Sequence, residues 1–388
     1  MTPYSAYLHI PFCTHRCAYC DFNTYAGQED SIPAYVEALC SEIGFAARPE
    51  SRLSVHTVFF GGGTPSLLSP LQFEAILRAL HETFDVQPDA EITIEANPGT
   101  VSLEGLRTLR ALGINRISFG VQSANTEELR MLERAHDFPD VIEALASARK
   151  AGFDNLNLDL IYGLPEQRLE TWKTTLGRAL DLRPEHVSAY ALTIEHGTPF
   201  GRWAARGLMP LAEPDAAADM YELASETLEA RGYRQYEISN WAQSGRECRH
   251  NLQYWRGLPY LAFGAGAHGY AGGMRYSNAL RIKTYIDRLR NPTPAALPWP
   301  LSAAAVNQHL QTPADERGEY MMTGLRLTDE GVSEREFESR FGSGLRDTYG
   351  RQIESLMGQG LLEWEDHRLR LTRRGRLLGN RVFVEFIE

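Results

Sequence analysis

Three cysteines fall within eight residues, in the stretch YLHIPFCTHRCAYCDFN that spans residues 7–23. Cys13, Cys17 and Cys20 stand at spacing C-x3-C-x2-C. Thiolate is a soft ligand, and thiolates clustered this way suit zinc or an iron–sulfur cluster. A structural zinc or an ordinary cubane takes four protein ligands. Here there are three. A nearby fourth would fall at Phe22, and the remaining cysteines, Cys40 and Cys248, lie far along the chain. A [4Fe–4S] cubane held by three thiolates leaves one iron open to chelate a small molecule and pass it an electron. The competing reading is zinc completed by His9 or His15. A disulfide framework is disfavoured by the odd number of cysteines and by an opening with no basic region ahead of an apolar run.

A second set of polar residues follows a pattern along the chain. Val55–Phe60 is β-rich and ends at Gly61-Gly62-Gly63-Thr64-Pro65-Ser66. Glycine lets backbone approach a ligand and leaves amides free for its oxygens. Alone, such a turn is weak evidence. Glu95, Gln122 and Asp159 each stand at or near the C-terminal end of a successive strand. In barrels of βα units the functional groups sit at those ends. One such residue would more often cap its own helix. A polar group after each successive strand points to one shared ligand site above the cysteine loop.

The elements that position these groups alternate. Strands are expected at residues 4–10, 55–60, 91–95, 116–121, 156–162 and 186–193. Helices are expected between them: one opened by Ser31 and Pro33, then 70–84, 103–112, 127–134, 140–151 and 169–180. Strands separated by helices mean a parallel sheet in an α/β fold. Cys40 falls on the apolar face of the first helix and reads as core. Past residue 200 the pattern loosens, with a helix at 214–231 and a strand at 233–241. The Pro-bearing stretch from Asn291 to Pro300 reads as a linker. Beyond it come a helix at 316–325, a capping box at Ser333 to Glu336, a helix through Ile353 and Met357, a hairpin at 361–372 and a basic final helix. The expected division is a core over 1–200, an extension over 201–295 and a winged-helix-like α+β unit over 296–388.

Composition sets limits. The chain has 388 residues, 43% apolar and 23% charged, which is ordinary for a globular protein. A net charge of −11 argues against broad nucleic-acid binding. No apolar run approaches transmembrane length, so a cytoplasmic location is expected, where free thiols persist. Arg368, Arg370, Arg373, Arg374, Arg376 and Arg381 make the C-terminal end locally basic. Such a run usually is a solvated face. The sharper reading is docking to a partner or to an anionic membrane, and a homodimer stays open beside it.

The motifs YLHIPFC, GGGTPS, EANP, FGVQS, LDLIYGLP, HNLQYW and MMTGLRL, in that order, resemble the radical S-adenosylmethionine (SAM) superfamily. Within it they resemble the branch of the coproporphyrinogen dehydrogenases (HemN) and heme chaperones (HemW). The resemblance covers essentially the whole chain. It implies a partial (β/α)6 barrel, a [4Fe–4S] cluster on Cys13, Cys17 and Cys20, and SAM contacts at Tyr7, Tyr19, Gly62, Gly63, Thr64, Glu95, Gln122, Arg134, Asp159 and Ala191. Three features divide the branch. The coproporphyrinogen enzymes carry an extra cysteine two residues after the third, where this chain has Phe22. They also carry an N-terminal extension, where six residues here precede Tyr7. Finally, HNLQYW over residues 250–255 resembles the HN..YW motif of the heme chaperones. All three lean toward a chaperone that binds heme and delivers it to respiratory hemoproteins. His250 is then the expected heme contact, since histidine is a common axial ligand. The alternative is an enzyme, an oxygen-independent coproporphyrinogen III dehydrogenase that decarboxylates propionates by radical chemistry. The resemblance assigns no catalytic residue.

Overall fold

The computed structural model describes residues 3–48, 52–291 and 297–387. Six parallel strands form its centre: β1 (Tyr4–Ile10), β2 (Ser54–Gly62), β3 (Asp85–Ala96), β4 (Arg116–Gln122), β5 (Leu156–Tyr162) and β6 (His186–Ala191). Helices lie between consecutive strands and cover the sheet. Ser69 and Gln72 close a capping box on the helix Pro70–Thr83, as Asp137 and Asp140 do on Phe138–Lys150. The apolar faces of these helices bury Phe73, Ile76, Leu80, Val141 and Leu145 against the strands.

Residues 201–310 lengthen this sheet on both sides. Beyond β6 lie β7 (Arg234–Glu237) and β8 (Asn240–Ala242), both antiparallel. Beyond β1 lies β9 (Tyr260–Phe263), which is parallel, and then antiparallel β10 (His268–Ala271), β11 (Met274–Asn278) and β12 (Ala305–Leu310). The twelve-stranded order is β12-β11-β10-β9-β1-β2-β3-β4-β5-β6-β8-β7. Its two edge strands do not pair with each other among the described residues, so the barrel is partial.

A smaller unit follows. Val332–Ser333 (β13), Leu362–Glu365 (β14) and Arg368–Leu371 (β15) make a three-stranded sheet in the order β13-β15-β14. Asp366 and His367 take φ of 47° and 60°, the left-handed pair that a tight two-residue hairpin turn requires. Helices Pro313–Gly324, Glu334–Phe341 and Leu345–Gly358 pack around it on a core from Tyr320 to Phe386.

Several local expectations change. Ser31 makes no side-chain cap; it closes a short 3-10 turn instead. The strand expected at 233–241 is a hairpin, because the Glu237 carboxylate accepts the Ser239 amide and the Asn240 side chain and turns the chain. Ser333 caps its helix, but Glu336 does not reciprocate and lies 3.7 Å from Arg368. The final helix breaks in two at Leu378. The boundary expected at 296, like half of the expected linker, falls on residues 292–296, outside the described residues. Residues 305–310, expected in the C-terminal unit, pair along β11 and belong to the main sheet.

The arginine run stays partly solvated, with Arg373, Arg374 and Arg381 exposed, yet its guanidinium groups find partners within the chain. Arg368 donates to the Glu330 carbonyl, Arg374 to that of Gln359, Arg376 to the Gln235 amide oxygen and Arg381 to the Gln359 amide oxygen. Arg370 pairs with Glu365 and Arg373 with Glu229. Each arginine therefore has a partner within the chain.

One buried acid ties the extension to the first helix. Glu42 accepts from the Gly264 amide at 2.8 Å, Asn278 at 2.7 Å, Tyr285 at 2.6 Å and Ser302 at 2.8 Å. Removing a buried acceptor strands its donors, which cost roughly 1–3 kcal/mol each. Glu42→Ala should therefore lower unfolding stability by about 3 kcal/mol or more in denaturant melts of the cluster-free protein, and Glu42→Gln by clearly less.

Candidate functional site

At the C-terminal ends of β1–β6 lies a cavity of about 600 Å³. Cys13, Cys17, Cys20, Tyr19, Gly62, Gly63, Thr64, Glu95, Gln122, Arg134, Asp159 and Ala191 all line it. Residues from the ends of β2–β6 and from the cysteine loop that follows β1 thus meet at one place. Tyr7 and His250 are not among the lining residues.

The cysteine loop is held on two sides. On one side it rests on the glycine turn. The Gly63 amide donates to the Ile10 carbonyl at 2.8 Å and the Thr64 amide to that of Phe12 at 2.7 Å. A Cβ at Gly63 would lie 2.5 Å from the Phe12 oxygen and 3.0 Å from Cys13 Sγ, so only glycine fits. Gly62 has φ of 114° and its amide donates to Glu95 at 3.0 Å. The turn's amides are thus spent on the loop and on Glu95, rather than left free for a ligand as expected.

On the other side the loop is clamped by Asn23, which sequence reasoning did not single out. Its side chain donates to the carbonyls of Ala265 and Leu280, both at 3.0 Å. Gly266 makes room for it; a Cβ there would lie 2.4 Å from the amide nitrogen. His9 spans the two sides. Its Nε2 meets the Asn23 carbonyl at 2.9 Å, and its ring fills the place of a Gly62 side chain. Nothing local marks Asn23, because its partners lie over 240 residues away in sequence.

The three thiols meet polar neighbours. Thr64 donates to Cys13 Sγ at 3.6 Å, Arg134 to Cys17 Sγ at 3.7 Å, and Cys20 Sγ lies 3.9 Å from the Thr24 hydroxyl. Burial pushes the Cys13 and Cys20 thiols up, against the pull of these hydrogen bonds. Metal ligation therefore has to release protons here. Among the described residues no three His, Cys, Asp or Glu side chains are gathered tightly enough for a single metal ion. Cys40 packs on the core, and Cys248 is buried, donating to Glu91 at 3.6 Å.

The strand-end acids differ in setting. Asp159 accepts from Ser118 at 2.7 Å and from Asn157 at 2.8 Å. Glu95 is half-buried on the cavity wall; desolvation first, then the Asp159 charge, pushes its carboxyl up to about 7, against the Gly62 amide. Arg134 donates to the Gly120 carbonyl at 2.7 Å and to Asn97, whose amide donates to Thr64 at 3.1 Å. Gln122 sits at φ of 68°, a left-handed conformation where β4 shifts register against β5. Ser118, Asn97 and Tyr190 also line the cavity, and the strand-end rule alone had not named them.

Tyr7 lies beneath the glycine turn, its hydroxyl 3.0 Å from His9 Nδ1. His250 lies deeper still. Its Nδ1 meets Thr57 at 2.8 Å, its Nε2 meets Tyr254 at 2.7 Å, and its ring stacks on Phe59. Both ring nitrogens are engaged. The helix that carries it, Arg249–Trp255, sets the amides of Arg249 and His250 on the Glu91 carboxylate, each at 3.1 Å. A buried hydrogen-bond chain joins this helix to the cavity floor: Cys248 amide to Tyr236, Tyr236 to His186, His186 to Asn157, Asn157 to Asp159.

Comparison with known proteins agrees along the chain. Residues 7–179 match the Radical SAM superfamily and residues 311–378 the HemN C-terminal domain. The chain is 38% identical over 384 residues to the heme chaperone HemW of Bacillus subtilis (strain 168), covering 99% of each. It is 39% identical to the heme chaperone HemW of Mycobacterium tuberculosis (strain ATCC 25618 / H37Rv), covering 98% of this chain and 94% of that one. Among solved structures it is similar to coproporphyrinogen III oxidase (HemN) from Escherichia coli, described as a radical SAM enzyme. The TM-score is 0.84 at 26% identity, over 99% of this chain and 90% of that one.

Two outcomes follow from this geometry. Gly63→Ala should cut the iron retained after reconstitution severalfold, measured per folded chain, because the new Cβ displaces Phe12 and Cys13. For a cationic ligand group beside Glu95, only the ionised carboxylate attracts. SAM affinity should then fall as pH drops through about 7, and calorimetry at pH 6 should show net proton release from the protein. A flat affinity between pH 6 and 8 would remove Glu95 from that role.

Proposed function

The chain belongs to the HemW family of the Radical SAM superfamily, and from that membership we propose that it is a heme chaperone. It binds heme and hands it to respiratory hemoproteins in the cytoplasm. It carries a [4Fe–4S] cluster on Cys13, Cys17 and Cys20 and binds SAM in the cavity above them. The observation that carries this reading is similarity over 99% of both chains to a protein named a heme chaperone.

The chain's own residues support the cofactor assignment. Three thiols and no fourth protein ligand beside them leave one cluster iron for a chelating molecule, and such a cluster supplies one electron at a time. Glu95 held by Gly62, and Thr64, Asn97 and Arg134 linked to one another and to Gly120, form two hydrogen-bonded groups on the cavity wall, which suit a ligand bearing both an amino group and a carboxylate. Tyr19, Gln122, Asp159 and Ala191 close the other walls. His250, the heme contact that the resemblance implied, has both ring nitrogens engaged and could reach iron only after its bond to Tyr254 or to Thr57 breaks.

A second reading has one observation of its own, the likeness to the E. coli coproporphyrinogen III oxidase structure. In that reading SAM chemistry acts on a porphyrinogen propionate, which must be held in near-attack geometry. Phe22, where those enzymes carry a cysteine, weighs against it.

The test gives purified, cluster-reconstituted protein heme and coproporphyrinogen III separately, with SAM and a reductant. Heme binding with the cluster retained, and no loss of carbon dioxide from the porphyrinogen, is the expected result. Alanine at Cys13, Cys17 or Cys20 should abolish the brown chromophore, whereas alanine at Cys40 should leave it. Protoporphyrinogen formation would establish the enzyme instead.

A further inference from the structure

Between β6 and the helix Pro214–Ala230 the chain runs as a strap, residues 195–213, which carries the short helix Pro199–Ala205 and whose first residue, Glu195, lines the cavity. The strap is well anchored. Thr198 accepts the Gly201 amide at 3.0 Å and donates to the Glu195 carbonyl at 2.7 Å. The Phe200 amide donates to the Ala18 carbonyl, inside the cysteine loop, at 3.1 Å. Met209 packs inward on a small core of Ala18, Leu132, Ile161, Leu164 and Phe200.

Its outer side is unusual for a soluble chain. Leu208 is 71% exposed, Leu211 63% and Trp203 38%, three large apolar side chains within nine residues. Scattered apolar residues need no explanation, but here three fall in one short segment next to the cavity, and the Leu208 amide donates to the Trp203 carbonyl at 2.9 Å, which brings two of them together. Two arginines stand among them. Arg202 reaches only the Gly197 carbonyl, at 3.2 Å, and the Arg206 side chain has no hydrogen bond or ion pair among the described residues. This contrasts with the C-terminal arginines, each of which has a partner. His196 is exposed, and no hydrogen bond to its ring is found among the described residues. It adjoins the same helix: a Cβ on Gly201 would lie 2.9 Å from His196 Cα. A ladder of rings, Tyr19 to Phe200 at 6.4 Å and Phe200 to Trp203 at 5.6 Å, leads from the cavity wall to this surface.

Resting on the chaperone reading above, we propose that heme docks on this strap rather than in the buried HNLQYW segment. The macrocycle lies on Trp203, Leu208 and Leu211, its propionates face Arg202 and Arg206, and His196 supplies the imidazole. Charge and shape select the occupant. Heme is planar and apolar, and it carries two carboxylates and an iron that takes histidine. The strap offers a complement to each, and an exposed surface suits a carrier that must release its cargo. An anionic membrane would also meet aromatic, leucine and arginine side chains, but it has no use for an imidazole.

The test is heme titration of the full-length, cluster-reconstituted protein, followed by Soret absorbance, for the native chain, for Leu208→Ser with Leu211→Ser, for Arg206→Glu and for His196→Ala. All four positions are exposed, so folding and iron content should be retained. The double serine variant should bind heme about tenfold more weakly, Arg206→Glu severalfold more weakly, and His196→Ala should shift the Soret band. Native-like affinity and spectra in all three variants would overturn the docking site while leaving the chaperone reading intact. Failure of the native chain to bind heme would overturn both. Loss of binding to phosphatidylglycerol vesicles in the double variant, with heme affinity unchanged, would make the strap a membrane contact and also overturn the proposal. So would loss of the native Soret signature in His250→Ala with its retention in His196→Ala.

Discussion

The structure depends on how a short, irregular cysteine loop is held still. Residues 14–24 make few regular backbone bonds of their own, so their position comes from outside. The glycine turn after β2 and the Asn23 clamp on the β9–β10 connection grip the loop from opposite sides. His9 lies between them and touches both. This grip needs glycine at four positions, because backbone or side chains approach closer than any Cβ allows at Gly62, Gly63, Gly264 and Gly266. Behind it stands Glu42, which fixes Gly264 from the first helix. The extension strands therefore do more than lengthen the sheet. They carry the far jaw of the clamp.

A good part of this was legible in the sequence, and the reason is periodicity. Strand and helix spacing put Glu95, Gln122 and Asp159 at strand ends, and a parallel sheet brings strand ends together. The cysteines announced themselves by ligand chemistry and spacing. What stayed hidden depends on contacts between distant segments. Asn23, Glu42 and Asn97 are ordinary polar residues until their partners are known. Arg134 became visible only through family resemblance, since its place near a helix end gave no physical hint. The Ser31 cap failed because a 3-10 turn already occupied the helix entrance, and a hairpin replaced one strand because Glu237 was free to turn the chain. The C-terminal arginines show the limit of reading charge from composition. The run is real, yet its members are consumed by carbonyls and carboxylates within the chain.

The HNLQYW segment illustrates how one motif supports two physical accounts. As sequence it offers an imidazole beside two aromatic rings. In the fold its histidine is wedged between Thr57 and Tyr254, and its backbone caps the Glu91 carboxylate. The buried chain through Tyr236, His186 and Asn157 then links it to Asp159 at the cavity floor. A buried polar network of this kind holds only if every member stays paired. The segment is thus tied to the site above it by a continuous chain of buried hydrogen bonds.

On this reading the chain's own hydrogen bonds hold the cysteine loop in place without any cofactor. Hydrogen exchange on protein stripped of iron tests this most directly, read at the amides of Gly63, Thr64 and Tyr25, which donate to Ile10, Phe12 and Pro11. The account predicts strong protection at all three without the cluster, close to that of the β2 amides. Exchange at the rate of an unstructured chain, with protection gained only on cluster loading, would contradict it.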